Sequence, residues 1–343
     1  MTPERFEKII AAYPSLRIAV IGDFTLDRYL EIDPARAETS VETGLPVHNV
    51  VNVRTLPGSA GTILNNLAAL GAGKIYAVGF CGMDGEGFEL RRALASKHGV
   101  SLEHFLQSQE RRTFTYCKPL IVKTGEVPRE LNRLDTKNWS PTPPAVEDEL
   151  IQSVSALAPN VDAIILLDQV EVTETGVVTR RLLDSVGEVA TRQPKLLISA
   201  DSRRGLRNFP PVIFKMNAVE LSALTGAASD GDDVAIKETA LTLARANGRL
   251  VFVTLAERGM VGASPDGTVE HVPALPVRGE IDIVGAGDAV TANLIAALAA
   301  GATVREALEL ASAAASIVIH QLGTTGEASV KQLRDVLLKS KSA

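Results

Sequence analysis

The residues best suited to chemistry lie in Asp282-Ile-Val-Gly-Ala-Gly-Asp288, which runs straight into the apolar stretch 289–300. Gly285 and Gly287 carry no Cβ, so the backbone there can turn tightly and lie against a ligand. The apolar stretch predicts a helix. The amides of Gly285, Ala286, Gly287 and Asp288 would then sit at its N-terminus, where unpaired N–H groups and the helix dipole favour an anion. The same dipole favours the ionised form of Asp288. An anion hole with a carboxylate at its lip suits transfer of a phosphoryl group to a hydroxyl. The amides hold the developing charge and the carboxylate accepts the hydroxyl proton. The competing reading is a glycine-rich turn with Asp288 as a helix cap, and within this stretch the two remain open.

Such a site needs strands that end beside it. Residues 17–22 (RIAVIG) form a continuous apolar run of the kind buried in a parallel sheet. It ends in Gly22-Asp23-Phe-Thr-Leu-Asp27-Arg28. Acids just past the carboxyl end of a central strand lie where open α/β sheets bind ligands, so Asp23 and Asp27 could accept hydrogen bonds from substrate hydroxyls. A loop acid or a cap is the plainer explanation. Pro57-Gly58-Ser59-Ala60-Gly61-Thr62 leads into a helix stopped by Gly71. Small residues there serve a ligand's approach or tight helix–sheet packing equally well. Further strands are expected at 74–80, 163–167, 196–200, 212–216 and 250–255. Helices are expected at about 145–156, 174–191, 217–225, 233–246, 288–300, 303–320 and 329–339. The strand ends carry Asp168, Asp201, Asn217 and Glu220, and 254–259. Within 31–56, which Pro34, Gly44 and Pro46 interrupt, the run VHNVVNVRTL alternates instead like a half-exposed strand, as do 112–122 and 130–135, and these could pair as one β flap.

Composition narrows the function. The 343 residues carry a net charge of −6 and only 4% aromatics, which gives no basic footprint for nucleic acid or anionic membrane and few rings for base stacking. Cys81 and Cys117 show no metal or CxxC spacing and read as buried free thiols. The five histidines are scattered without metal spacing. No segment reaches the ~20 uncharged apolar residues of a membrane span, and the charged N-terminus lacks the apolar core of a signal peptide. A cytoplasmic location is expected. Neither GxGxxG nor GxxxxGK[ST] occurs, so ATP, if bound, is held by another route.

With these pieces in order, the chain resembles the ribokinase, or PfkB, family of carbohydrate kinases over essentially its whole length. Within it the likeness is greatest to the kinase domain acting on heptose 7-phosphate in lipopolysaccharide precursor synthesis. Residues 21–28 resemble that group's strand-end substrate motif, and 57–71 the first family signature. Lys215-Met-Asn217-Ala-Val-Glu220 resembles the N-x-x-E element, 253–259 the strand-end loop that holds the nucleotide, and 282–288 the second signature.

The resemblance implies one ribokinase-like domain over 1–343, a three-layer α/β/α sandwich. It would have a mostly parallel central sheet and a small β-lid at about 31–56 and 110–135. It also implies Asp288 as general base and Asp23, Asp27, Gly58, Ser59, Thr62 and Arg133 at the acceptor. Asn217, Glu220, Thr254, Glu257 and Gly259 would face the nucleotide, with ATP and Mg²⁺ as cofactors. Asn217 and Glu220 would reach the magnesium through water. Asp282 would shape a monovalent-cation site for K⁺ or simply stabilise its turn. A homodimer formed through the lid is implied by analogy. Arg111, Arg112, Lys118 and Arg133 could receive a phosphate already on the acceptor, or be ordinary surface charge.

Three departures stand out. Thr62 occupies a position where relatives place a sugar-contacting asparagine, which alters reach and donor count. Gln169-Val-Glu171 follows Asp168 where heptose kinases place an aromatic residue and a lysine. The nucleotidyltransferase domain fused to the heptose enzyme is not expected here. The alternatives are a non-catalytic sugar or nucleotide sensor on the same fold, which need not keep the Asp288 carboxylate, and a kinase for a nucleoside or other small alcohol.

Overall fold

The computed structural model describes residues 1–227 and 232–339. Its main sheet has ten strands. Arg17–Gly22 lies near the middle, between Lys74–Gly82 on one side and Ala163–Asp168 on the other, parallel to both. Beyond Ala163–Asp168 the parallel run continues through Leu197–Ser202, Ile213–Asn217 and Val251–Thr254. Two antiparallel strands that the sequence reading did not anticipate, Met260–Ala263 and Val269–Val272, close that edge. Because strand order reverses at Arg17–Gly22, a crevice is expected at the carboxyl ends of the strands around it.

Both faces of the sheet are covered, which is why its strands read as unbroken apolar runs. Ile18 and Val20 join one core with Ile63, Leu67, Leu294 and Leu310, from helices Ala60–Ala69, Ala286–Ala299 and Val304–Val318. Ala19 and Ile21 join the other, with residues of helices Pro144–Leu157, Arg180–Arg192 and Asp233–Asn247. The result is the expected layered α/β/α arrangement. The helix expected from 174 begins only at Arg180, capped by Thr179, because the preceding loop delivers its amides to Asp23. No helix among the described residues is long and apolar enough to cross a membrane.

A second, five-stranded sheet forms the lid. Phe24–Ile32 pairs antiparallel with Val50–Ser59 and parallel with Thr115–Ile121, which also carries the short strands Arg129–Glu130 and Leu134–Thr136. The lid thus starts earlier than expected: residues 24–32 are strand, not a loop past a strand end. Alternation explains it, since Phe24 and Leu26 enter the core while Thr25 and Asp27 point to the opposite face.

Candidate active site

Helix Ala286–Ala299 opens at Gly285, whose φ of 82° is left-handed and whose Cβ, were there one, would lie 2.1 Å from the Thr325 carbonyl oxygen. Only glycine fits. Among the described residues, the amides of Gly285, Gly287 and Asp288 meet no acceptor. The Ala286 amide donates to the Ile283 carbonyl at 3.2 Å, so three of the four amides expected to be unpaired are so. Asp282 accepts from the amides of Val284 (3.0 Å) and Gly323 (3.3 Å), both its oxygens engaged in holding the turn that precedes the helix.

Asp288 stands on the first turn of this helix, half-buried, and no described residue hydrogen-bonds its carboxylate. Burial pushes its pKa up to about 7; the charges of Asp201 and Asp27 push the same way and Lys215 opposes them. At neutral pH it therefore exchanges protons readily instead of remaining a fixed anion, which corrects the expectation drawn from the dipole alone. Enough protein surrounds the carboxylate to raise it, yet part of the residue's surface remains exposed.

Of the two acids after Arg17–Gly22, Asp27 and not Asp23 is the one whose charge acts on Asp288. Asp23 is fully buried, and its carboxylate accepts from the amides of Val177 (2.7 Å), Gln169 (2.8 Å) and Val170 (3.2 Å). With burial first and Asp168 second, its pKa is pushed up to about 6. Its oxygens are spent on the loop after Ala163–Asp168, so it organises backbone and has no face toward a sugar. Asp27 is 4% exposed and lies on the same lid face as Tyr116, its register partner. Lys118 stands 3.3 Å from the Asp27 carboxylate and 3.4 Å from the Tyr29 hydroxyl. Gly58 lies against this carboxylate, for a Cβ there would come within 2.9 Å of Asp27 Oδ1 and 2.5 Å of Thr25 Oγ1.

Ser59 occupies the N-cap position of the next helix without a side-chain cap, at φ 55°, ψ −119°, a conformation suited to glycine, with its hydroxyl 3.2 Å from that of Thr25. Thr62, on the first turn of Ala60–Ala69, is 1% exposed and its hydroxyl has no partner among the described residues. Arg133 hydrogen-bonds Asp135 and lies over the Tyr116 ring at 4.8 Å. The other basic groups near the lid are engaged too. Arg111 is buried and donates to the carbonyls of Ser140, Pro141 and Thr175, clamping two loops, while Arg112 lies 3.5 Å from Asp84.

At the neighbouring strand ends, Asn217 and Glu220 form a reciprocal capping box for helix Ala218–Thr225, at 2.9 and 2.7 Å. The pair thus caps its own helix, and Glu220 Oε1 is the carboxylate oxygen left outside the box. Thr254 pairs in register with Asn217 across the adjacent strand. Glu257 is exposed on the short helical turn Ala256–Arg258. Gly259 ends that turn at φ 94°, where a Cβ would lie 2.1 Å from the Val272 carbonyl oxygen. No cluster of three or more His, Cys, Asp or Glu suited to a metal occurs among the described residues. The donor set fits a magnesium that arrives on nucleotide phosphates with its own waters, reached by Glu220, and not an all-protein cage.

Two residues given no role from sequence stand in the centre. Lys215 Nζ is 2.7 Å from Asp201 Oδ2 and 3.3 Å from where a Gly287 Cβ would be. From sequence Asp201 reads only as a strand end. The available signal was position, since Lys215 lies two residues before Asn217 and Asp201 sits at the end of the adjacent strand.

The pfkB family carbohydrate kinase profile matches residues 16–331. The chain belongs to that family. It is a carbohydrate kinase, a phosphotransferase with an alcohol group as acceptor. Among curated relatives it is 30% identical over 333 residues to "Bifunctional protein HldE" of Bradyrhizobium sp. (strain ORS 278), covering 97% of this chain and 66% of the relative. It is 33% identical to the protein of that name from Hyphomonas neptunium, covering 90% and 61%. The kinase chain thus spans roughly two thirds of the length of these relatives. Among solved structures, Arabidopsis thaliana ribokinase complexed with ribose and ATP superposes with a TM-score of 0.65 at 20% identity, covering 94% of this chain and 99% of that one. Escherichia coli phosphofructokinase-2 in complex with substrates and products gives 0.69 at 17%, covering 94% and 98%. At these identities the likeness establishes the ribokinase-like fold.

Proposed function

We propose that this kinase transfers the γ-phosphoryl group of ATP to a hydroxyl of a sugar or sugar phosphate, with Asp288 as general base. The observation that carries this reading is the Asp288 carboxylate. Among the described residues it is unpartnered and stands beside three amides without acceptors, it is partly exposed, and Asp27 is within electrostatic reach. The acceptor hydroxyl lies between Asp288 and Asp27, with Gly58, Ser59 and Thr62 forming the wall and the lid excluding water. The Thr62 hydroxyl, buried and unpaired, is the acceptor-facing donor that this arrangement leaves unspent. Arg133 and Lys118 border the outer end of the same space.

As the acceptor oxygen attacks, its proton passes to Asp288. A base of pKa about 7 matches a late proton transfer at neutral pH. The amides of Gly285, Gly287 and Asp288 hold the equatorial oxygens in transit. Asn217, Glu220 and Thr254 face the nucleotide side, with Glu257 and Gly259 shaping its loop. Magnesium, carried by the nucleotide, supplies charge neutralisation there, and potassium is a candidate for the turn at Asp282. The lid's edge strand Val50–Ser59 leaves Val50, Val51 and Val53 at least 43% exposed, a surface suited to a second copy of this chain in a homodimer.

The resemblance to heptose 7-phosphate kinases makes a heptose phosphate the first acceptor to try. The test is ATP consumption across neutral sugars and sugar phosphates, with ³¹P NMR to identify the product. A new phosphate ester formed with one acceptor class is expected. ADP release unaccompanied by any new ester would refute the assignment.

A further inference from the structure

Lys215 is a lysine where packing gains nothing from one. It lies on Ile213–Asn217 with its side chain 10% exposed, and its only hydrogen bond among the described residues is to Asp201. An ammonium carries three donors, so two are unspent. Burying a charge for structure alone is a poor bargain, because an ion pair in the interior roughly breaks even against apolar side chains. The position of this one is specific. Its charge is felt by Asp201 from the adjacent strand, by Asp288 from the helix across the crevice, and by Glu220 from the helix that follows its own strand. It also stands against Gly287, where any side chain would crowd it. Burial works against the ammonium, but those carboxylates outweigh burial and raise its pKa.

Asp201 is fixed in turn. Its Oδ2 lies 3.4 Å from the Thr291 hydroxyl, whose single proton is shared between that oxygen and the Gly287 carbonyl at 3.1 Å. Thr291 is one turn beyond Asp288 on the same helix. The pair is thereby tied to the element that bears the proposed base and its amides.

We propose that Lys215 is a further catalytic residue, its ammonium bearing on the oxygens of the γ-phosphoryl group in transit, and that Asp201 is the positioning residue that holds it there. This rests on the kinase reading above and adds the group that receives charge on the nucleotide side of Asp288. In the step itself the bond from the γ-phosphorus to its bridging oxygen breaks, and its electron pair leaves with ADP. The bond from the acceptor oxygen to phosphorus forms, and the acceptor's proton goes to Asp288. Lys215 keeps its proton throughout and neutralises charge on the transferred group.

The test uses the full chain and needs no known acceptor. Calorimetric titration with Mg²⁺ and either AMP-PNP or ADP compares wild type, Lys215→Met, Lys215→Arg and Asp201→Asn. Lys215→Met should weaken AMP-PNP roughly 10- to 100-fold, the usual worth of a charged hydrogen bond, and ADP about twofold or less. Lys215→Arg should recover most of the loss. Equal weakening of both nucleotides, or of neither, would overturn the assignment of Lys215 while leaving Asp288 as base. A wild-type chain that binds neither nucleotide would overturn both.

A second readout is the pH dependence of turnover on whichever acceptor is found. The charges acting on Asp288 are Asp201 and Asp27, which raise it, and Lys215, which lowers it. The acid limb should therefore move to higher pH in Lys215→Met and to lower pH in Asp201→Asn. A structural ion pair would lower melting temperature in both variants and leave the limb in place, and that result would refute the positioning role of Asp201.

Discussion

Replacing Asp288 by asparagine should cost activity and add stability. The folded carboxylate is raised from 3.8 to about 7, so between those values the folded chain holds a proton that the unfolded chain has released. Where the unfolded state binds fewer protons, stability falls as pH rises, and the loss is complete above the folded pKa. Three pKa units correspond to about 4 kcal/mol as an upper bound. The carboxylate is partly open and coupled to Lys215 and Asp201, so about half of that, ~2 kcal/mol, is the reasonable expectation. Asparagine carries no charge and escapes the penalty. At ~2.1 cal/mol/K of unfolding entropy per residue, the variant should melt roughly 3 °C above wild type at pH 8. The advantage should vanish near pH 4. Turnover at pH 8 should fall by about 10²–10⁴. Differential scanning calorimetry at both pH values, beside a steady-state assay, reads the two effects together. An asparagine variant that melts at or below wild type at pH 8, or that turns over near the wild-type rate, would refute this reasoning.

Further outcomes separate the site's other members. Asp27→Asn should raise the acceptor KM with little change in that for ATP. Asp23→Asn should instead destabilise by about 1–3 kcal/mol, because an NH₂ group would face backbone donors; a purely kinetic effect at Asp23 would contradict its backbone role. Ser59→Gly relieves a backbone conformation that costs about 1–3 kcal/mol in a non-glycine residue, less the hydroxyl contact to Thr25. A higher melting temperature is expected and a lower one would show that no strain is held there. Thr62→Val removes an unpartnered hydroxyl, so its stability change should stay within about 1 kcal/mol while the acceptor KM rises. An unchanged acceptor KM would mean that Thr62 does not face the sugar.

Much of this was legible from local pattern. The glycines at 285 and 287 and the apolar run after Asp288 announced a helix N-terminus, and the unbroken run 17–22 announced a strand covered on both faces. What sequence could not supply was direction. Asp23 and Asp27 are equivalent acids past a strand end in the sequence, and only the continuation of Phe24–Ile32 into the lid sheet separates them, Asp23 meeting backbone amides and Asp27 meeting Lys118. The amides that consume Asp23 come from residues 169–177, about 150 positions away along the chain. The Lys215–Asp201 pair was hidden for the same reason, since partners on adjacent parallel strands have no fixed spacing. The edge hairpin through Pro265-Asp266-Gly267 did carry a turn signal. The strands on either side are only four residues long, too short for alternation to show.

The most direct measurement of the central assignment is kcat/KM for the acceptor against pH in the wild-type kinase at saturating MgATP. An acid limb with a midpoint near pH 7 is expected, falling about tenfold per pH unit below it. A rate that stays level down to pH 5 would contradict Asp288 as the group that takes the proton.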